Sequence, residues 1–302
     1  MSVVRVQVPA STANMGPGFD CLGMALQLYN SVEMTATDAG LFIDVQGEGS
    51  GGIPRDESNI VYLAAMRVFK QVGYKCGGLK IKLHNNIPVS KGLGSSTAAI
   101  VGGIIAANII SGQQLTQREM LNMACAMEGH PDNVAAAVFG GIAVAVPVDG
   151  EIKHIKIEPP KKMKAVVAIP EFNLPTKISR EALPQQVSFN DASFNLARLA
   201  LLVAALGQGD MALLGVSMED RLHQPYRSNL IPGMKKVIAA ARLAGARGVS
   251  LSGAGPTLAA FTDDNYEHIA RVMKDTFKQN GVMARTMILD PSPVGARALE
   301  IK

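Results

Sequence analysis

The chain has 302 residues, 48% of them hydrophobic and 18% charged, with a formal net charge of +4. That length suits two domains of ordinary size, and the composition excludes general disorder. The mild, scattered charge and the absence of Trp argue against a nucleic-acid surface, and no apolar run predicts a membrane span. Three cysteines, Cys21, Cys76 and Cys125, lack metal-like or C-x-x-C spacing, which predicts buried thiols in a reducing cytoplasm.

Val4, Val6 and Val8 alternate with Arg5 and Gln7, the two-residue period of a half-buried strand, and Pro9 is expected to end it. The glycines and proline between Ser11 and Asp20 predict a loop. Strands over 24–36 and 41–46 come next, then a helix over 59–72 entered from the turn 54–58, and a cleanly alternating strand over 79–83.

That strand delivers the chain to Val89, Ser90, Lys91, Gly92, Leu93, Gly94, Ser95, Ser96, Thr97, Ala98 and Ala99, a loop of glycine and hydroxyls that opens into a helix with apolar residues at Ile100, Val101, Ile104 and Ile105. Gly92 and Gly94 permit backbone angles closed to other residues and let a ligand approach the main chain. The unpaired N–H groups and dipole of the helix start favour an anion, Lys91 adds positive charge, and a serine hydroxyl can ligate Mg²⁺. The order is neither a Walker A loop nor a Rossmann fingerprint. A glycine turn before a capped core helix would look the same in isolation.

A second helix is predicted from Thr116 to about Met127, a short alanine-rich helix over 134–138, and a strand pair over 142–147 and 151–157. Proline and charge gather at 158–162, so the predicted units are 1–158 and 159–302. The second half reads as strand 164–169, helices near 176–183, 191–206, 210–219 and 233–244, strand 247–251, turn 252–256, strand 257–262, helix 264–279 and strand 282–289. The whole is an α+β pattern with some antiparallel sheet.

Four polar residues, Glu128, His130, Asp132 and Asn133, crowd the break before the alanine-rich helix. Charged groups in such apolar surroundings are paired or coordinate a cation, although Asp132 or Asn133 could equally cap the next helix. Asn14 and Asp20 offer an amide and a carboxylate on a glycine-supported loop, suited to an ammonium and a hydroxyl. Arg180 and Arg227 each present a fork that matches a carboxylate or phosphate, and Gly253 lies in a small-residue turn that admits a ligand or another backbone.

Taken together, Pro9 to Asp20, Pro88 to Ala99 and Leu251 to Thr257 resemble the three motifs of the GHMP kinases, in the right order over nearly the whole chain. Within that family, T-A-N-x-G-P-G-F-D, E-G-H-P-D-N-V-A and the stretch Thr176 to Pro184 are most similar to the homoserine kinase branch. The resemblance implies an N-terminal half like domain 2 of ribosomal protein S5 and a ferredoxin-like C-terminal half. ATP is expected between them on Val89 to Ala99, with Asn59 near the nucleoside and Ser96 and Glu128 on Mg²⁺. Asn14, Asp20, His130, Asn133, Thr176, Arg180, Arg227 and Gly253 would surround L-homoserine, with both arginines on its carboxylate and Asp20 on its ammonium. Asp132 and Asn133 both remain candidates for the group facing the γ-phosphate, with Asn133 favoured as a non-basic orienting group. Dimerisation is common among such relatives, and the cytoplasmic expectation rests on the thiols. The alternatives are a mevalonate or sugar kinase of the same family, or a non-catalytic RNA-binding protein sharing the S5-like fold.

Overall fold

The computed structural model describes residues 3–301. Its first half runs β1 (Val3–Ala13), β2 (Leu22–Thr37), β3 (Gly40–Gly47), α1 (Ile60–Val72), β4 (Gly78–Asn85), α2 (Ser95–Ile110), α3 (Gln117–Glu128), α4 (Pro131–Phe139), β5 (Ile142–Val148) and β6 (Glu151–Ile157). The second half runs β7 (Lys164–Pro170), α5 (Thr176–Glu181), α6 (Phe189–Gln208), α7 (Leu214–Ser217), α8 (Gln224–Arg227), α9 (Met234–Leu243), β8 (Gly248–Leu251), β9 (Leu258–Thr262), α10 (Tyr266–Gln279), β10 (Ala284–Leu289) and β11 (Arg297–Ile301).

The first sheet has the order β11-β1-β2-β4-β3, with β5 also pairing β2 and β6 pairing β5. In β4 the residues Leu79, Ile81, Leu83 and Asn85 face inward while Lys80, Lys82 and His84 face out, as strict alternation requires. Helix α2 covers the inner face of this sheet and is buried along most of its length. A Cβ at Gly102 would press on Val32, and one at Gly103 on the backbone of α1, so the two glycines let the helix sit close to both neighbours. The second sheet, β10-β7-β9-β8, is antiparallel throughout and buries its own core against α9 and α10.

Three local expectations change, and a fourth, the absence of a membrane span, meets one helix that needs explaining. Strand β1 does not end at Pro9 but runs on to Ala13, because the pairing register with β2 shifts between Pro9 and Ala10 and accommodates the proline there. The helix expected over 210–219 is a single 3₁₀ turn, Met211–Leu213, followed by the one-turn α7. The residues assigned by sequence to the second unit do not all stay there: β11 returns to pair antiparallel with β1. Finally, α6 has the length and mean hydropathy, 1.2, of a membrane span. Its polar residues are nevertheless engaged by the segment after α7, where Arg198 meets Glu219, Arg221 meets Asp191 and buried Asn195 donates to Asp220.

Candidate active site

The three glycine-containing stretches are stitched to one another by hydrogen bonds at the seam between the two halves. Ser11 N–H donates to Leu93 O at 3.1 Å, Gly253 N–H to Ala13 O at 3.1 Å, and Thr257 N–H to Lys91 O at 3.3 Å. Ser252 Oγ lies 2.6 Å from Gly92 O and 2.9 Å from Thr12 Oγ1, joining all three through one hydroxyl. Gly92 has φ +80°, and a Cβ there would run into the carbonyl oxygen of Ser252. Gly92→Ala is therefore expected to cost ~2 kcal/mol or more, from left-handed strain and the collision together. A melting temperature unchanged from wild type would refute this.

A cleft of about 400 Å³ opens over this seam. One end is walled by the 52–60 segment, Leu83 and Asn85 of β4, and Pro88 and Val89; the other gathers Asn14, Asp20, His130, Asp132, Asn133, Thr176, Arg180, Arg227 and Gly253. Between them lie Ser90, Lys91, Gly92, Gly94, Ser95, Ser96 and Ala99, at the N-terminus of α2. Gly94 is the N-cap in a left-handed conformation and supplies no capping side chain, so the first N–H groups of α2 are not satisfied by that residue. Such a terminus favours phosphate.

Ser96 Oγ and Glu128 Oε2 are 3.3 Å apart at the edge of this terminus. Two oxygen donors, one anionic, beside an anion-binding helix start fit a hard divalent cation such as Mg²⁺. Lys91 sits differently from its sequence reading. Its Nζ donates to Glu171 O at 2.5 Å and Phe172 O at 2.7 Å, tying the glycine loop to the segment before α5. Burial, with Arg285 nearby, holds this ammonium below the usual lysine range.

At the other end, Arg180 donates from Nη1 and Nη2 to the two carboxylate oxygens of Asp20, at 3.0 and 2.8 Å. Asp20 thereby raises the pKa of Arg180 further. Arg227 is 2% exposed. Its Nε donates to Ser179 O at 3.3 Å, and its Nη1 to Gly253 O at 3.1 Å and to His223 Nδ1 at 3.2 Å, which leaves Nη2 without a partner among the described residues. Burial and the neighbouring Arg180 lower its pKa to about 10, so it remains charged at neutral pH. His223 was missed in the sequence because it stands alone there. It is fully buried, and accepting from Arg227 at Nδ1 leaves its Nε2–H to donate to Gly16 O at 2.7 Å. Burial depresses its pKa, consistent with a neutral ring.

Asp132 and Asn133 now separate. Asp132 Oδ1 accepts from the Asn133 N–H and lies 2.7 Å from His130 Nδ1, so one oxygen of this carboxylate serves the start of α4 and the imidazole while the other has no partner among the described residues. Asn133 Oδ1 accepts from Ser11 Oγ at 2.8 Å, which orients the amide and leaves its NH₂ unpaired among the described residues. Asn14 is held the same way, donating to Gly253 O at 2.9 Å and accepting from the Asp20 N–H at 3.0 Å. Burial opposes charge on His130, but the Asp132 hydrogen bond and the carboxylates of Asp132, Glu128 and Asp20 outweigh it and raise the pKa above 6.5. The stability contributed by that imidazolium is present in full below pH 6.5 and is lost as pH rises through the higher native value. The difference in melting temperature between wild type and His130→Gln is therefore expected to shrink from about pH 6 to about pH 8.5. A difference that grows over that range would contradict the assignment.

All the sequence-predicted site residues line this one cleft except Leu93, Thr97 and Ala98, which are fully buried. Asn59 reaches it, but its amide is occupied as the cap of α1, accepting from Val61 N–H at 2.9 Å and donating to Pro54 O at 2.7 Å. Arg180 and Asp20, expected to hold a ligand's two charges separately, hold each other. Ile53, Pro54, Ile60, Leu83, Asn85 and Ala254 line the cleft without having been singled out. The apolar ones carried no signal beyond ordinary core residues.

Residues 59–141 match the family model described as GHMP kinases N terminal domain, and residues 202–279 match GHMP kinases C terminal. The chain is 49% identical to a homoserine kinase of Moorella thermoacetica, covering 96% of this chain and 98% of that one. It is 42% identical to a homoserine kinase of Caldicellulosiruptor bescii, covering 99% and 98%. Among solved structures, the homoserine kinase of Cytophaga hutchinsonii superposes with a TM-score of 0.89 at 30% identity, over 98% of this chain and 97% of that one. A mevalonate kinase from L. major, at 17% identity and a TM-score of 0.70, shares the fold.

Proposed function

The chain belongs to the GHMP kinases, in the branch of the homoserine kinases, and from that premise we propose a division of labour along its cleft. The enzyme phosphorylates L-homoserine with ATP to O-phospho-L-homoserine, a step of threonine biosynthesis. The nucleotide takes the end between the 52–60 segment and the start of α2, and the amino acid takes the end around Asp20, Arg180 and Arg227.

One observation carries the acceptor assignment. Asp20 and Arg180 form a bidentate pair beside Arg227, so the chain itself presents one anionic and two cationic groups there. A zwitterionic amino acid can take over both halves of that pair, its ammonium meeting Asp20 and its carboxylate meeting the guanidinium groups. Mevalonate lacks the ammonium and a sugar lacks both charges. Release of ADP with L-homoserine, and none with mevalonate or galactose, is the expected result of a side-by-side assay. Turnover of mevalonate at a comparable rate would overturn the assignment.

Phosphoryl transfer passes through a loose transition state, so positioning and charge neutralisation carry most of the work. The N–H groups at the start of α2 hold the phosphates, and Ser95 and Ser96 lie where hydroxyls can assist. Glu128 and Ser96 would hold Mg²⁺, which supplies neutralisation of the phosphate charge when bound. Asn133, locked by Ser11, aims its NH₂ group to orient the acceptor hydroxyl. Asp132 binds His130 and the Asn133 N–H through one oxygen, lines the same cleft, and through its other oxygen stays a second candidate to receive the acceptor proton. We assign 1–158 together with β11 to the nucleotide-binding half and 159 to Leu289 to the acceptor-side half, which follows the sheet pairing.

A further inference from the structure

Asn85 is the last residue of β4 and occupies an inward-facing position, continuing the row Leu79, Ile81, Leu83. Alternation calls for an apolar side chain at that point, and the row supplies one at every earlier step. Asn85 is only 7% exposed, yet its side-chain amide has no hydrogen-bond partner among the described residues. The amide is not sealed in the core, since the buried unpaired side-chain atoms among the described residues are the hydroxyls of Thr97, Ser217, Ser250 and Thr257; it opens on the cleft, where a bound ligand can take the place of water on it. Its backbone is fixed, since Asn85 O accepts from Glu48 N–H at 2.8 Å and the residue pairs with Gly47 in β3. The side chain is thereby held in the wall of the cleft, beside Ile53, Ile60 and Val89.

The other polar side chains of this wall are already committed. Asn59 caps α1, and Ser58 donates to Asp56 at 2.5 Å. What remains is an apolar slot with a single convergent amide offering one donor group and one acceptor. A planar heterocycle whose edge carries a hydrogen-bond donor next to a ring-nitrogen acceptor satisfies both, and adenine presents that edge at its 6-amino group.

We propose that Asn85 reads the 6-amino edge of the nucleotide's base. This rests on placing the nucleoside at that end of the cleft. Purine riboside triphosphate, which is ATP without the 6-amino group, tests it. Wild type is expected to use the analogue with kcat/KM about tenfold below ATP, one lost hydrogen bond in a dry site. Asn85→Ala is expected to lower kcat/KM for ATP, which loses two bonds, about a hundredfold and for the analogue, which loses only the ring-nitrogen bond, about tenfold, so the gap between the nucleotides closes. KM for L-homoserine should stay within about twofold, and a melting curve confirms that the variant folds. Equal losses with both nucleotides, or a wild type that does not distinguish them, overturn the proposal. The wild-type comparison needs no variant and can overturn the proposal even if Asn85→Ala fails to fold. Failure of wild type to turn over either nucleotide would instead overturn the nucleotide reading on which the proposal rests.

Discussion

Glu128→Gln is expected to lower kcat for L-homoserine phosphorylation by about 10³-fold, a loss of roughly 4 kcal/mol of transition-state stabilisation. The substitution keeps the size of the side chain and its bond to Ser96, removing only the anionic oxygen that stands 3.3 Å from that hydroxyl. A hard divalent cation binds charged oxygen far better than a carbonyl, so charge neutralisation on the phosphates is lost while the fold is not. KM for L-homoserine should change little, because Glu128 has no contact with the Asp20–Arg180 pair. Raising Mg²⁺ concentration should recover part of the rate in the variant, separating a metal role from a structural one. Activity near wild type would remove Glu128 from the metal site.

Arg227→Ala is expected to raise KM for L-homoserine by about 10²-fold and KM for ATP by less than about threefold. Truncating one partner of a buried, hydrogen-bonded charge pair costs about 2–5 kcal/mol, and each 1.4 kcal/mol is tenfold. The guanidinium also ties Ser179, His223 and Gly253 together, so a fall in melting temperature accompanies the kinetic effect. A substrate deletion separates the two contributions: 3-amino-1-propanol is homoserine without its carboxylate. Wild type should use it poorly, and Arg227→Ala should lose little further with it. A variant that loses as much with 3-amino-1-propanol as with L-homoserine would place Arg227 outside carboxylate recognition. Arg227→Lys should also be impaired, because an ammonium keeps the charge but cannot hold Ser179, His223 and Gly253 in the same fork.

Much of this site was legible in the sequence because its chemistry is concentrated in short glycine-bearing stretches. Gly92, Gly94 and the hydroxyls at 95–97 announce a helix start open to anions, and Glu128 to Asn133 announce a polar break in an apolar helix pair. The failures have specific causes. Leu93, Thr97 and Ala98 belong to the loop by position but point into the core, a distinction that linear spacing does not carry. His223 has no neighbour in sequence to explain it, and its partners Gly16 and Arg227 are brought to it only by tertiary packing. Asn85 hides in a clean alternating strand, where its amide reads as a strand end. Lys91 was assigned to phosphate by proximity, whereas the carbonyls of Glu171 and Phe172, eighty residues away, compete for it. The returning strand β11 gave no warning because its partner β1 lies at the opposite end of the chain.

The single hydroxyl of Ser252, shared between Gly92 and Thr12, has a consequence for inheritance and redesign. The acceptor loop, the phosphate loop and the turn at 252–257 present backbone to one another at distances that leave no room for independent change. Transplanting the acceptor loop of a sugar or mevalonate kinase into this chain alone would leave its carbonyls facing the wrong donors. Specificity in this architecture must therefore be exchanged as a set of three segments, and surveys of natural sequences should find substitutions at 92, 12 and 252 arriving together.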